Sequence, residues 1–488
     1  MDIQKNPTGP NAAPIPRPKS NACAHRIRLT LAAVFLFLVV YITVGCLPYT
    51  GKLSLNAAFL QSFTADSFYA QSEGSERVML LDDADQALFH RVNIIGNARE
   101  RVLLSTFLFT EGVSSDILVG ALLDAADRGV DVSVLVDKWS RIPNDYKQCF
   151  IDEPNLRYYE FNPLNLLKPQ RINTSMHDKF LIVDDNYLIT GGRNIGDEYF
   201  IEGTKNFRID MDILAYSAEN EPHGTIDDWT AYYEELINPV NAKKHASKSS
   251  RERATTADRE RFLECFYAYR ETRLSQEPVD YAALTFPVNG VSSVFNSLEI
   301  GSKKEPVVAY TLLELAKQSK NIILITPYIA LTAHHFTLFA DAISGRDVLL
   351  FTNSLAATVD VIVYSSYYAH RAKFLQHGVE IYEYQHTEAV LHGKCYLFDD
   401  RLTAIGSLNM DERSIRIDTE SMLIVDSPEL NAKVRESLDI IRTDSIKVDP
   451  ATNAYAANTL QTPAFVPFGK KALYLVVGHV VELIQYLI

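Results

Sequence analysis

The sequence has few cysteines, which disulfide frameworks and most structural zinc sites need. Only five cysteines occur in 488 residues, and none stands in a CxxC pair or at a zinc-type spacing from histidine. We therefore expect no structural metal and no disulfide framework; we also predict no cofactor. The cysteines are Cys23, Cys46, Cys149, Cys265 and Cys395.

An excess of positive charge is also lacking. The formal net charge is −14 at pH 7, whereas proteins that hold nucleic acid through a broadly basic surface depend on neutralising its phosphates. That class is disfavoured, although a local basic pocket for one phosphate is compatible with this total. The 47% hydrophobic content indicates a globular chain with a substantial core, and the length allows two to three domains.

A long uncharged run stands near the N-terminus. Residues 29–47 have about the length that a membrane-spanning helix needs. Basic residues precede the run and few follow it, so the positive-inside rule places residues 1–28 in the cytoplasm as a disordered tail and the chain after the run on the extracytoplasmic side of the cell membrane. An uncleaved single-pass anchor is our leading interpretation. A lipoprotein signal ending at Cys46, a cleaved secretory signal and a buried helix are the alternatives.

Two later segments share one pattern of strand, helix and strand. Apolar runs rich in β-branched residues alternate with apolar residues at helical spacing, which predicts an α/β fold. The repetition indicates an internal duplication. The first segment comprises residues 101–110, 114–129 and 130–137, and the second comprises residues 321–328, 336–345 and 347–354.

A histidine–lysine–aspartate array also occurs twice. Each member of the first array has a counterpart 215 positions further on, and chance would not hold five polar or glycine positions in register. The histidine and lysine are two residues apart, so on a strand their side chains would point to the same face. The arrays are His177, Lys179 and Asp184 with Gly191 and Asn194, and His392, Lys394 and Asp399 with Gly406 and Asn409.

The spacing HxKxxxxD followed by GGxN or GSxN resembles the signature of the phospholipase D superfamily, and two copies resemble its bilobal members. Further segments resemble bacterial cardiolipin synthases, especially the subgroup that uses phosphatidylethanolamine with phosphatidylglycerol. The resemblance implies two duplicated phospholipase-D-like α/β/α lobes that face each other, with an N-terminal transmembrane helix. The segments are residues 191–200, 352–357, 377–384 and 406–414.

The resemblance covers roughly residues 76–445 and suggests a layout for the chain. Charged and polar residues 243–262 mark either a boundary between lobes or a solvated helix within one. The apolar residues 469–488 suit an interfacial helix or a core helix. We predict a linker at 48–75, a first lobe at 76–245, a connecting segment at 246–290, a second lobe at 291–445 and a C-terminal tail at 446–488.

Such an array can transfer a phosphodiester group without a metal. One imidazole attacks phosphorus to give a phosphohistidine, and the other protonates the leaving oxygen and then deprotonates the incoming alcohol. Lysines supply positive charge and asparagines supply neutral donors for the non-bridging oxygens. The resemblance implies that His177 attacks and His392 performs the acid–base work. The phosphate cradle would consist of Lys179, Lys394, Asn194 and Asn409.

Acidic residues should support the two imidazoles by fixing their tautomers. By analogy with the family, Asp212 and Glu420 are the candidates, whereas Asp210 and Asp418 align with each other where the family often has asparagine. Asp184 and Asp399 are expected to organise turns rather than touch substrate. Residues with either a pocket-lining or a structural role are Arg193, Ser407, Arg413, Ser414 and Tyr328.

The predicted function is a membrane-anchored phosphatidyltransferase that forms cardiolipin from phosphatidylglycerol and a second phospholipid. Its partners would be the phospholipids and the membrane, and not nucleic acid. Two alternatives stay open. A hydrolase would use water as the acceptor and release phosphatidic acid, and an inactive lipid-binding scaffold would keep the fold without the chemistry.

Overall fold

The computed structural model describes residues 21–51, 55–70, 74–218, 224–246, 256–274, 279–457, 461–482 and 484–488. Most of the predicted tail, residues 1–20, lies outside these ranges. The first helix, α1, begins at Asn21 rather than at residue 29, so the last residues of that tail are helical. Residues His25–Tyr49 are long and apolar enough to cross a membrane, with a mean hydropathy of 2.5 and few buried side chains.

The rest of the described chain alternates strands with helices, so the α/β class is confirmed. The helices are α1 (Asn21–Cys46), α2 (Ala57–Ser62), α3 (Ala84–Gly96), α4 (Val113–Asp127), α5 (Asn144–Asp152), α6 (Asp197–Phe200), α7 (Gly224–Leu236), α8 (Thr256–Arg273), α9 (Tyr281–Leu284), α10 (Val307–Gln318), α11 (Ala333–Ile343), α12 (Val361–Gln376), α13 (Glu412–Arg416), α14 (Pro428–Thr443) and α15 (Phe468–Val481). The strands are β1 (Arg77–Leu81), β2 (Arg101–Thr106), β3 (Asp131–Asp137), β4 (Leu156–Phe161), β5 (Phe180–Val183), β6 (Tyr187–Gly191), β7 (Phe207–Ile209), β8 (Asp212–Tyr216), β9 (Ala242–His245), β10 (Phe286–Pro287), β11 (Gly290–Phe295), β12 (Asn321–Ile325), β13 (Ile329–Ala330), β14 (Asp347–Asn353), β15 (Val379–Tyr384), β16 (Ala389–Leu391), β17 (Cys395–Phe398), β18 (Leu402–Gly406), β19 (Met410–Asp411), β20 (Ser421–Asp426) and β21 (Ser445–Lys447).

Two large sheets repeat one topology. Among the described residues, the first sheet runs β10-β1-β8-β6-β5-β2-β3-β4-β9 and the second runs β11-β20-β18-β17-β12-β14-β15-β21. Apart from the edge strand β10, each strand of the first sheet has a counterpart in the second at the same place in the order. The parallel core strands are rich in valine, leucine and isoleucine because helices cover both faces of such a sheet. The predicted duplication is therefore confirmed.

The two lobes face each other across a shared apolar core. Buried side chains from both sheets form one cluster, in which Phe180 and Ile213 of the first lobe lie with Ile325 and Leu423 of the second. Helix α7 adds Trp229, which is completely buried. Burial of this continuous cluster holds the lobes in one arrangement, and that arrangement positions the site between them.

The segments outside the lobes are packed as well. Helix α8 lies in the predicted connecting segment and covers α4, where a side chain at Gly120 would collide with the carbonyl oxygen of Phe262. Helix α15 packs on α12 in the same close manner at Gly478. One face of α15 is thus buried, whereas Val476 and Val480 on another face are exposed. The C-terminal helix therefore has one face like that of a core helix and one apolar exposed face like that of an interfacial helix.

Candidate active site

The two motif histidines line one cavity of about 280 Å³ between the lobes. His177 comes from the first lobe and His392 from the second, although 215 positions separate them. Aromatic rings flank both imidazoles, with ring centroids 5.3 Å apart for Phe107 and His177 and 5.6 Å apart for Tyr199 and His392. The other lining residues are Leu108, Asn194, Arg208, Tyr328, Asp360, Val363, Asn409, Asp411, Arg413, Ser414 and Asp418.

The His-x-Lys segments lie just before strands β5 and β17, not within them as the sequence predicts. The N–H groups of both histidines bond to the opposite lobe instead of to a neighbouring strand of their own sheet. The N–H of His177 donates to the carbonyl oxygen of Thr419 at 3.2 Å, and the N–H of His392 donates to that of Ile209 at 2.7 Å. These reciprocal bonds bring the two imidazoles to one place.

Each imidazole is oriented by a buried acid of the opposite lobe. Nδ1 of His177 lies 2.9 Å from Oε1 of Glu420, and Nδ1 of His392 lies 2.5 Å from Oδ2 of Asp210. A carboxylate that accepts a hydrogen bond from Nδ1–H fixes the tautomer and leaves Nε2 for chemistry. Glu420 thus occupies the supporting position expected from the sequence.

Asp212 does not support a histidine, which corrects the sequence prediction. It is completely buried and accepts charged hydrogen bonds from Arg91 at 2.7 Å and Arg193 at 3.1 Å. The strand register explains the error: Gly191 pairs with Asp212, whereas the matching Gly406 pairs with Met422. The structural counterpart of Glu420 is therefore Asp210. Matching Asp210 with Asp418, and hence Asp212 with Glu420, is therefore two residues out of register.

The two lysines lie beside the histidines and are buried. Nζ of Lys394 lies 3.1 Å from Nδ1 and 3.2 Å from Nε2 of His392, and Nζ of Lys179 donates to the carbonyl oxygen of His177. Burial lowers the pKa of Lys179 to about 8 and that of Lys394 to about 7, while the carboxylates of Glu420 and Asp210 oppose the change. Positive charge at low dielectric is well suited to hold a phosphate.

Both histidines have a pKa well below the usual value of an imidazole. Burial is the largest cause for each, and the neighbouring charges of Lys179 for His177 and of Lys394 for His392 add to it. An unprotonated imidazole at neutral pH can act as a nucleophile or a base. Burial also raises the pKa of Glu420 to about 7 and raises that of Asp210.

The two asparagines line the cavity with unequal partners. Asn194 accepts from the N–H of Leu108 at 3.0 Å and donates to the hydroxyl of Tyr199 at 2.9 Å. Within the described ranges, the buried Oδ1 of Asn409 has no hydrogen-bond partner. Each amide therefore keeps at least one N–H that can donate to a ligand oxygen.

The aspartates of the arrays hold turns instead of lining the cavity. Asp184 and Asp399 follow β5 and β17 with φ values of 50° and 53°. Asp184 accepts from the N–H groups of Arg99, Glu100 and Arg101, and Asp399 accepts from those of Lys320 and Asn321.

Three of the five residues left open by the sequence, Tyr328, Arg413 and Ser414, line the cavity. Arg193 instead donates to buried carbonyl groups, and Ser407 bonds to Ser421. Sequence reasoning missed further lining residues. A signal for one of them existed, since Arg208 stands two positions before Asp210 and would share its face of an extended segment. The missed residues are Phe107, Leu108, Tyr199, Arg208, Asp360, Val363 and Asp411.

Among the residues that the structure describes, no group of three or more His, Cys, Asp or Glu side chains is arranged to hold a metal ion. The charges that could contact a phosphate come instead from lysine and arginine side chains. The site thus contains paired nitrogen groups for covalent and acid–base chemistry and cations for an anionic ligand.

Comparison with known proteins gives relatives over most of the chain. Cardiolipin synthase C of Escherichia coli is 26% identical over 403 residues, covering 74% of this chain and 84% of the relative. Cardiolipin synthase B of the same organism is 24% identical over 391 residues, covering 76% and 82%. An uncharacterized protein of Helicobacter pylori is 27% identical over 462 residues, covering 83% and 89%.

The fold has a counterpart among solved structures. Phosphatidylserine synthase of Haemophilus influenzae superposes with a TM-score of 0.63 at 15% identity, covering 87% of this chain and 99% of that one. The family described as cardiolipin synthase, PLD-like domain, matches residues 92–221 and again residues 311–441. The chain therefore belongs to the cardiolipin synthase family of proteins with phospholipase-D-like domains.

Proposed function

We propose that this protein is a membrane-anchored phosphatidyltransferase that forms cardiolipin from phosphatidylglycerol and a second phospholipid. The supporting observation is that His177 and His392 line one cavity while each is oriented by a buried acid of the opposite lobe. Such an arrangement suits a reaction with a covalent intermediate, in which one imidazole attacks and the other moves the proton.

In the first step, Nε2 of His177 attacks the phosphorus of the donor lipid. The N–P bond forms, the bond from phosphorus to the head-group oxygen breaks, and His392 gives its proton to that oxygen. A bound phosphate places negative charge beside His392 and so favours the protonated imidazole that this step needs. Lys179 and Lys394 balance the charge on the non-bridging oxygens.

In the second step, a hydroxyl of phosphatidylglycerol loses its proton to His392 and attacks the phosphohistidine. The new O–P bond forms as the N–P bond breaks, which releases His177 and restores the protonated His392. Both steps therefore use the same two nitrogens in reversed order, and no external acid or base is consumed.

A membrane location supports this reaction because substrates and product are all bilayer lipids. Helix α1 supplies an apolar segment of sufficient length, and the chain that follows it is fixed to the first lobe. Tyr49 is buried and its hydroxyl donates to the carbonyl oxygen of Gln170 at 2.5 Å. Tethering in this way raises the effective concentration of lipid at the site. The positive-inside rule favours a body outside the inner leaflet.

The names of the relatives favour transfer over hydrolysis, since cardiolipin synthases B and C occur among them. Phosphatidylethanolamine is our proposed second donor, based on the segments that resemble the subgroup using it. A hydrolase would have the same cavity but use water as the acceptor, so product analysis has to separate the two functions.

The test uses the full-length protein in vesicles of phosphatidylglycerol, with and without phosphatidylethanolamine, and with the glycerol head group labelled. Vesicles of phosphatidylglycerol alone should yield cardiolipin and free labelled glycerol. With phosphatidylethanolamine as the donor, cardiolipin should form with release of ethanolamine, and the labelled glycerol should stay in the product. Phosphatidic acid without cardiolipin would establish the hydrolase instead. No product and no phosphorylated protein would favour the inactive scaffold, and the double variant H177A/H392A serves as the blank.

A further inference from the structure

Arg208 is a cavity residue whose guanidinium has unused donors. Its Nε and Nη1 atoms are buried, and within the part of the chain that the structure describes they have no hydrogen-bond partner. Buried polar groups are nearly always paired, because leaving one unpaired costs free energy. A charged group with spare donors on a cavity wall indicates that a ligand completes its bonding.

The position of Arg208 places it on the His392 side of the cavity. It lies in β7, which pairs with β16 of the opposite lobe, and it stands two residues before Asp210, the acid that orients His392. Its charge contributes to the low pKa of His392. Its charge and its hydrogen bond to the side chain of Tyr328 oppose the rise in the pKa of Tyr328 that burial causes. The guanidinium therefore acts near the imidazole assigned to acid–base work.

The other arginine of the cavity wall, Arg413, is already engaged. Its Nη2 lies 3.1 Å from Oδ1 of Asp418 and donates to the carbonyl oxygen of Asn173 at 2.7 Å. By the strand register, Asp418 is the structural counterpart of Arg208. The two lobes thus place opposite charges at equivalent positions. The wall near His177 contains a balanced ion pair, whereas the wall near His392 contains a cation whose Nε and Nη1 have no partner among the described residues.

We propose that Arg208 binds the phosphodiester of the acceptor, so that the site holds two phosphodiesters at once. This inference rests on the proposed function, in which His392 deprotonates the acceptor hydroxyl. In phosphatidylglycerol a glycerol unit joins that hydroxyl to a phosphodiester, so the acceptor's own anion must lie on the His392 side. The planar fork of arginine matches two oxygens of such a group.

The assignment adds no covalent step. The acceptor hydroxyl gives its proton to His392, its oxygen bonds to phosphorus, and the N–P bond to His177 breaks. Arg208 keeps its charge throughout and contributes by holding the acceptor. Alcohols without a phosphodiester would react at the same phosphohistidine without its help.

The test measures how one intermediate divides between two acceptors. Vesicles of phosphatidylglycerol with added ethanol would yield cardiolipin and phosphatidylethanol from the same phosphohistidine, so their ratio does not depend on the donor step. In R208Q we expect this ratio to fall about 10-fold, since a charged hydrogen bond is lost from the lipid acceptor. R442Q removes an exposed arginine outside the cavity and should leave the ratio unchanged.

A fall of both products with an unchanged ratio would overturn the acceptor role of Arg208. Should the wild type form phosphatidylethanol but no cardiolipin, the proposed synthase function would be wrong, and that outcome is distinct. If R208Q fails to fold, the same inference can be tested on the wild type by comparing two soluble acceptor alcohols. Glycerophosphoglycerol, a soluble alcohol with a phosphodiester, should be used at least about 10-fold better than glycerol, and equal use would contradict the inference.

Discussion

The two lobes provide the same array of side chains but surround it differently. In the first lobe the histidine is oriented by Glu420, and in the second by the shorter Asp210. Beside His177 an arginine and an aspartate neutralise each other, whereas beside His392 two nitrogens of Arg208, Nε and Nη1, have no partner in the described part of the chain. Duplication gave the site its symmetry, and the differences around it are the basis of the separate tasks that we propose for the two histidines.

This comparison supports unequal roles for two histidines that the motif alone makes equivalent. A nucleophile needs a neutral, well-oriented imidazole. His177 meets this need, because Glu420 orients it and the nearby arginine and aspartate neutralise each other. An acid–base group has to exchange protons with leaving and entering alcohols, and His392 lies where Arg208 can hold an anionic alcohol. The following predictions test whether His177 is the nucleophile and His392 the acid–base group.

The largest effect should come from the histidines themselves. H177A should lower turnover of phospholipid by about 10⁴-fold or more and abolish the covalent adduct, because no nucleophile is left. H392A should lower turnover by roughly 10²- to 10⁴-fold, yet still form the adduct from a p-nitrophenyl phosphodiester, whose leaving group needs no proton. Radiolabel retained on the protein measures both. An adduct on H177A but not on H392A would reverse the roles.

Asp210 and Asp212 are two residues apart but should affect different properties. Asp210 should affect the orientation of His392, and Asp212 the stability of the fold. D210N should lower kcat roughly 10²-fold or more by disturbing the His392 tautomer, with little change in thermal stability. D212N should instead destabilise the fold by about 3–5 kcal/mol, because Arg91 and Arg193 would be left buried with a weakened partner. Steady-state kinetics and thermal unfolding decide between them. Equal loss of activity without destabilisation in both variants would refute the corrected register.

The two lysines should set different upper pH limits for kcat/KM, because their pKa values differ. An ammonium binds phosphate only while protonated, so kcat/KM should fall as pH rises through the pKa of about 7 of Lys394 and then the pKa of about 8 of Lys179. The fall should be about tenfold from pH 7 to pH 8, of which about fivefold comes from Lys394 and about twofold from Lys179. K394R should move the limit to about 8, whereas K179R should leave it near 7. Identical limits in the two variants would contradict the unequal lysines.

The turn aspartates should have the smallest effect and none on chemistry. D184A removes an acceptor from three backbone N–H groups and should cost about 1–2 kcal/mol, while D399A removes an acceptor from two and should cost less. Chemical denaturation measures the difference. A large loss of kcat at unchanged stability would instead place either residue in the site.

Much of this architecture was predictable from the sequence. Strong apolar periodicity revealed the repeated strand-helix-strand units, and the constant spacing of the arrays revealed that His177 and His392 belong to copies of one design. The arginine that lines the cavity beside His392 was missed, because a charged residue on a short strand is usually solvated. Only the packing of the lobes shows that Arg208 borders the cavity.

For a related reason, the sequence could not show that the acid of each lobe orients the histidine of the other lobe. The segment between Gly191 and Asp212 is longer than the one between Gly406 and Met422. Similar sequence around the acids therefore does not indicate which acids are structural counterparts. Hydrogen bonding across the lobes, rather than sequence proximity, pairs His177 with Glu420. A non-local contact of this kind leaves no spacing rule in the chain.

A crystal structure of the protein with orthovanadate would test most directly whether both lobes act on one phosphorus. The account predicts a single vanadium bonded to Nε2 of His177, with Nε2 of His392 within hydrogen-bond distance of the opposite apical oxygen and both lysines on the equatorial oxygens. Vanadium bound to one histidine while the other stands apart, or two vanadium atoms at separate places, would contradict it.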